Sequence, residues 1–385
     1  MPPTRLLVLA VLIVTVSTQA VFLLGAGFFK IGPELDIGPV GLGALTAAFF
    51  LTASIASPPL GRWVQRVGWR RAMRLNAMVA SATLLAIALA ARSVVSLAAC
   101  LVVAAATYGT SNPAANLALA EYTAPHRRAT VFGLKHAGIP SSTLLAGLAV
   151  PVVIVGFGWR AAFLVAAGIA LLVATSVPAP APPIPRPPAP AGRRRQAAPM
   201  TVRTLLGLAL GAALATWAAV ALGTYLVSAA VEAGFSESGA GWLLFAGSAA
   251  SILARIVAGL LTDRAAGTGL GAIAVLVGAG SLVFALLPAA SGVASVVLVV
   301  LAFATGWGWP GLMTFAVVDA NTAAPASVSA ITQAGVFLGA GAGPLVLGAV
   351  IERWSFASAS WVVAAALALA AIVVGLIRRR LAPAT

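Results

Sequence analysis

Two side chains in this sequence carry charge where their neighbours are hydrocarbon. Arg255 stands inside WLLFAGSAASILARIVAGLLTDR, Trp242 to Arg264, and Lys135 follows Arg128 at the start of another apolar run. An arginine deep in a membrane helix costs roughly 2.5–3.5 kcal/mol on insertion scales, so it is expected to face something polar or negative rather than lipid. At about 1.5 Å per residue, Arg255 lies roughly 12 Å in from Asp263 and Lys135 roughly 10 Å in from Arg128, at matching depth. No Asp or Glu is predicted in the hydrocarbon. Glu121, Asp263 and Asp319 fall at one set of span ends, and Glu34, Asp36, Glu232, Glu237 and Glu352 fall at the other. A bound anion would supply the missing partner, monodentate on Lys135 and forked on Arg255.

Each of these residues also has a structural reading. Arg255 could bond the free carbonyls of a broken helix, and the long stem of Lys135 could reach back to the membrane surface. His136 is of the residue type that carries a proton near neutral pH, with a bond to a neighbouring helix as the structural reading. Gln19, Asn112 and Gln333 are pocket candidates, while Asn116 reads as an amide that holds helices together. Trp217 and Tyr225 are further substrate-contact candidates, with packing or an interfacial belt as the alternative, as for Trp307 and Trp309. Asn112-Pro113, Pro140, Trp309-Pro310-Gly311 and Gly343-Pro344 mark places where helices break or bend and free backbone groups to line a cavity.

The elements that must position these residues are membrane helices. Hydrophobic residues make up 61% of 385 and charged residues 8%, against about 25% charged in a soluble domain. Twelve runs reach the length of about 20 residues that crosses a bilayer: roughly 6–29, 40–60, 72–91, 94–118, 131–156, 159–177, 202–229, 240–262, 270–288, 293–317, 333–351 and 357–377. The fold class is therefore all-α and polytopic. The first run is too long for a signal peptide and no cleavage site follows it. The net charge of +15 has a topological cause: with the N-terminus inside, seventeen of the 23 basic residues fall on the cytoplasmic side and only Lys30, Arg92, Arg160 and Arg353 outside. Both termini are then cytoplasmic, the membrane is the cytoplasmic (inner) one, and nucleic acid is not a partner. The sole cysteine, Cys100, excludes an intrachain disulfide.

The chain is also a duplication. At an offset of 198 residues, Gly43 answers Gly241, and Gly61-Arg-Trp-Val-Gln65-Arg66 answers Gly259-Leu-Leu-Thr-Asp263-Arg264. At slightly shifted offsets Pro125 answers Pro325, and His136-Ala137-Gly138 answers Gln333-Ala334-Gly335. Where the second copy has Arg255 the first has Ser57. A Pro- and Arg-rich stretch, 178–200, cannot be helical and separates an N-terminal six-helix bundle, 1–177, from a C-terminal one, 201–385. Two parallel halves of six spans are an architecture of secondary transporters.

These motifs resemble the major facilitator superfamily, whose Gly-x-x-x-Asp-Arg/Lys-x-Gly loop follows spans two and eight. Gly61, Gln65 and Arg66 match it in the first copy, and Gly259, Asp263 and Arg264 in the second. Gly158-Trp159-Arg160-Ala-Ala-Phe163 is similar to the family's lead into span six. The phrase Phe132-Gly133-Leu134-Lys135-His136-Ala137-Gly138 resembles bacterial cyanate/nitroimidazole-type permeases, and Arg255-x-x-x-Gly259 is similar to span eight of monocarboxylate transporters, where the arginine binds the substrate carboxylate. The resemblance implies two pseudo-symmetric bundles, a gate at the paired motifs, and one central cavity faced by both Lys135 and Arg255. Gln65 departs from the motif's Asp, which removes a carboxylate expected to meet a helix N-terminus and leaves the two gate halves unequal.

The expected activity is secondary transport of a small organic or inorganic anion by alternating access, with protons or a counter-anion as coupling partner. Export of neutral or drug-like compounds and a transport-dead sensor or scaffold are the alternatives. The two lysines, Lys30 and Lys135, follow no phosphate-cradling Gly-rich loop. No clustered His, Cys or carboxylate set points to a metal, a cofactor or an enzyme.

Overall fold

A computed structural model describes residues 3–122, 131, 134–179, 200–264, 269–321 and 325–381. Within lipid every backbone N–H and C=O must be paired, which leaves the helix or the closed barrel, and continuous apolar runs of about 20 residues without a barrel strand's alternation take the helix. Twelve helices are long and apolar enough to cross a membrane: Thr4–Ala26, Pro39–Val67, Trp69–Ala90, Val94–Leu119, Gly138–Phe157, Trp159–Ser176, Val202–Glu232, Glu237–Leu261, Leu270–Ala289, Gly292–Ala320, Val328–Arg353 and Phe356–Leu381. They correspond one to one with the twelve expected runs and are called spans one to twelve below. Residues 180–199 of the expected linker, and the side chains of Asp263 and Arg264, lie outside the described residues.

Two spans differ from expectation. Span five is expected from residue 131, but its continuous helix begins at Gly138, after a turn at His136 and Ala137. Pro140 is the physical reason, because it has no N–H to offer the carbonyl four residues before it, that of His136. Span ten is interrupted at Trp307-Gly308-Trp309, between Gly292–Gly306 and Pro310–Ala320. Both breaks expose backbone oxygen in the interior of the protein.

Spans one to six pack as one bundle and seven to twelve as a second, and three helix pairs join them: two with eleven, five with eight, and one with seven. The duplication exchanges the first two pairs and maps the third onto itself, as a two-fold axis along the membrane normal requires. Residues at equivalent positions make the crossings. A Cβ on Gly25 would lie 2.8 Å from the carbonyl oxygen of its own repeat partner, Gly223. A Cβ on Gly43 would overlap the Pro344 carbonyl, and one on Gly241 would lie 2.8 Å from the Gly147 carbonyl. Small residues let membrane helices meet backbone to backbone, where dispersion rather than water exclusion supplies the attraction.

All three glycine crossings lie toward the end opposite Arg62, Arg66, Arg70 and Arg71, and polar links reinforce them there. Lys30 pairs with Glu237 at 2.7 Å across the bundles. Glu352 accepts from the Val40 N–H (3.2 Å) in the first turn of span two, a carboxylate at the positive end of a helix dipole. Tyr225 donates its hydroxyl to the Pro344 carbonyl (2.8 Å), with the Pro39 carbonyl at 3.2 Å. The Gly158-Trp159-Arg160 motif serves the same end. Gly158 turns the chain at φ 82°, and Trp159 donates its indole N–H to Glu34 (2.6 Å) while Arg160 pairs with the same carboxylate. The Trp159 hydrogen bond and the Arg160 guanidinium hold the Glu34 carboxyl below the usual range.

These crossings yield a paired expectation. Gly43→Ala should lower the melting temperature of the purified protein, because its methyl group meets backbone that cannot rotate away. Gly375→Ala has nothing within 4 Å and should be neutral or stabilise span twelve by up to about 1 kcal/mol. A thermal-unfolding series on both variants checks this, and a silent Gly43→Ala would contradict the crossing.

Candidate functional site

Between the bundles lies a cavity in which the centre of a water-sized sphere has about 70 Å³ to move, several times what one water needs. Asn112, Lys135 and His136 reach it from the first bundle, and Arg255 and Gln333 from the second. Phe22, Phe50, Tyr108, Trp307 and Phe337 form much of its apolar wall. No carboxylate lines it among the described residues.

Lys135 is 2% exposed and Arg255 6%, so neither cation reaches solvent freely. The Lys135 ammonium donates to Asn112 Oδ1 (2.8 Å) and Asn116 Oδ1 (3.1 Å). These amides stand four residues apart on span four and hence on one helix face. Both partners are neutral, and an ammonium has three protons, so these two bonds leave one proton over and the charge uncompensated. The snorkelling alternative for Lys135 is not what the structure shows.

Arg255 joins the two helix breaks. Its Nη1 donates to the His136 carbonyl (2.6 Å), the oxygen freed by Pro140, and its Nη2 to the Trp307 carbonyl (2.8 Å), freed by the interruption of span ten. The guanidinium carbon also lies 5.9 Å from the centre of the Trp307 ring. Its Nε–H is buried and has no partner. The structural reading of Arg255 thus holds in this conformation, while the Nε–H of a residue that lines the cavity remains unused.

The other sequence candidates divide. Gln333 lines the cavity with Asn112 and His136. Gln19 is buried and accepts from the Ser142 hydroxyl (2.9 Å) away from the cavity wall, which joins spans one and five. Trp217 packs against Gly343, and Tyr225 belongs to the seal described above; neither lines the cavity. Among the gate residues, Gly61 faces Pro113, Gly259 has open space around it, and Gln65 and Arg66 are exposed. Tyr108 is a cavity residue that the sequence reading missed. It stands four residues before Asn112 on the same face of span four, a spacing that would have pointed to it.

No curated protein matches the chain significantly. Among solved structures, a bacterial homologue of the human lysosomal transporter Spinster, in its inward-facing occupied conformation, superposes with a TM-score of 0.68 at 19% identity over 99% of each chain. The inward-facing unoccupied form of such a homologue gives 0.66 at 17% identity, over 98% of this chain and 96% of that one. At these identities the likeness is one of fold. The sequence itself supplies the family, because residues 7–333 match the profile of the Major Facilitator Superfamily. The chain belongs to the Major Facilitator Superfamily of membrane transporters.

Proposed function

We propose that this transporter carries a small anion, organic or inorganic, through the cavity between its bundles. One observation carries the reading: two buried cations, Lys135 and Arg255, face one cavity, and among the described residues their partners are neutral oxygens. Occluding such charges without a counter-ion carries a penalty of several kcal/mol per ion in a dry interior, and a carboxylate or comparable anion offsets it. The unused Arg255 Nε–H and the third proton of Lys135 are the donors such a ligand would take. The aromatic wall suits an anion with an apolar body, in line with the resemblance to monocarboxylate carriers; a cyanate-like ion is the smaller alternative. A lipophilic cation would meet two like charges, and a neutral compound would leave both unpaired.

Transport follows the alternating opening of the seams between spans two and eleven and between spans five and eight. An empty carrier with two uncompensated cations returns slowly, so anion-for-anion exchange is the coupling that the site favours. Symport with a proton on His136 or on the substrate is the second form. Orientation with both termini cytoplasmic, in the inner membrane, rests on the distribution of basic residues.

Counterflow in proteoliposomes tests the coupling. Uptake of labelled substrate should rise with unlabelled anion preloaded inside and change little with a pH gradient. Uptake that follows the gradient and ignores the preloaded anion would overturn exchange and make His136 the next residue to change.

Two substitutions test the site. Arg255→Lys should insert normally yet lose about tenfold or more in transport, because an ammonium replaces the guanidinium fork at the cost of a charged hydrogen bond. Asn112→Asp should raise thermal stability while weakening anion binding, because it gives Lys135 an internal counter-ion. Tighter anion binding in Asn112→Asp would count against Lys135 as a substrate contact.

A further inference from the structure

The two seams that the duplication relates are not held alike. Along the five–eight seam a series of contacts runs from the glycine crossing to the cavity. Gly147 and Gly241 meet backbone to backbone, the Thr143 and Ser248 hydroxyls bond at 2.8 Å, and Arg255 Nη1 donates to the His136 carbonyl at 2.6 Å. Span five runs up the sequence as span eight runs down, so these three contacts climb one antiparallel interface. In the two–eleven seam the position of Arg255 is held by Ser57, whose hydroxyl donates to Ala53 of its own helix (2.7 Å) and so does not cross to the other bundle. Among the described residues, the polar crossing toward the arginine-rich end of the five–eight seam is therefore a single guanidinium on a carbonyl that Pro140 has left without its helical donor.

A guanidinium bonded to a neutral carbonyl exchanges it readily for an anion, which adds the attraction of opposite charges and, for a carboxylate, a second parallel N–H···O bond to what the carbonyl offers. We propose that Arg255 is a latch on the five–eight seam, and that an anion in the cavity opens it by taking the guanidinium from the His136 carbonyl. The trigger rests on the anion reading above; the latch does not. The Trp307 carbonyl, on Arg255's own bundle, remains as the anchor that keeps the side chain aimed into the cavity. Arginine is required for this because one terminal nitrogen holds the anchor while the other is exchanged, which a lysine ammonium at the end of a flexible stem does not reproduce. Binding and opening then become one event. The carrier loses its cross-bundle bond only when a substrate has replaced it.

The test is a distance measurement between spin labels on Leu134→Cys and Leu260→Cys, in full-length protein with Cys100→Ser. Without added anion, Arg255→Met should raise the fraction with the seam open about tenfold, the worth of one hydrogen bond to a charged group. Arg255→Lys should fall between it and the unsubstituted protein and covers the case in which Arg255→Met fails to fold. Pro140→Ala tests the same bond from its other side, because the new N–H can bond the His136 carbonyl and compete with Arg255. It should stabilise the helix against heat yet open the seam, a pairing that a purely structural role for Arg255 would not produce. Benzoate should open the unsubstituted protein and add nothing to Arg255→Met. Unchanged distances in the Arg255 variants would overturn the latch. Open variants together with an unsubstituted protein that neither benzoate nor nitrate moves would keep the latch, remove its trigger, and count against the anion reading.

Discussion

Two positive charges sit at a cavity that no carboxylate lines among the described residues, and the local structure around the cavity answers that constraint. Asn112 and Asn116 present both amide oxygens of one helix face to Lys135. Pro140 and the Trp307–Pro310 break each free a carbonyl, and Arg255 takes both. Dipoles hold the charges in place without cancelling them. A carboxylate at any of these positions would have made the site more stable and less able to want a ligand.

The duplication explains how such a site is built on a symmetric frame. Gly25 with Gly223, and Gly43 with Gly241, keep the three inter-bundle crossings close in both halves, and the same exchange relates the two–eleven and five–eight pairs. Charge breaks the symmetry. Arg255 stands where the first copy has Ser57, and the span-eleven counterpart of Lys135 is the uncharged Thr332, which lines the cavity beside Gln333. A frame of two similar bodies thus carries a site that belongs mostly to one seam.

Much of this was legible in the sequence. Span number and approximate bounds follow from apolar length alone, because in lipid continuous apolar runs of that length take the helix. The repeat was visible in the glycines, which cannot be exchanged at a backbone contact. Arg255, Lys135, His136, Asn112 and Gln333 stood out because polar groups in hydrocarbon need a reason. Rotation about each helix axis was not legible where a span is apolar on nearly all sides. That is why Tyr225 and Trp217 were expected at the cavity and lie elsewhere, why Gln19 faces Ser142, and why Tyr108 was passed over. The start of span five was misplaced because hydropathy continues through a turn that only Pro140 signals. The two readings of Arg255, carbonyl staple and anion contact, could not be separated in the sequence; the structure shows the carbonyl contacts, and the proposed latch would join the two readings through one of them.

The central claim is that the cavity is an anion site because its own charges are left without partners. Thermal unfolding of the purified protein with small carboxylates, cyanate, nitrate and lipophilic cations, each at matched ionic strength, tests it most directly. The account expects stabilisation by at least one anion, reduced in Arg255→Lys, and none by the cations. Stabilisation by lipophilic cations with no response to any anion would contradict it.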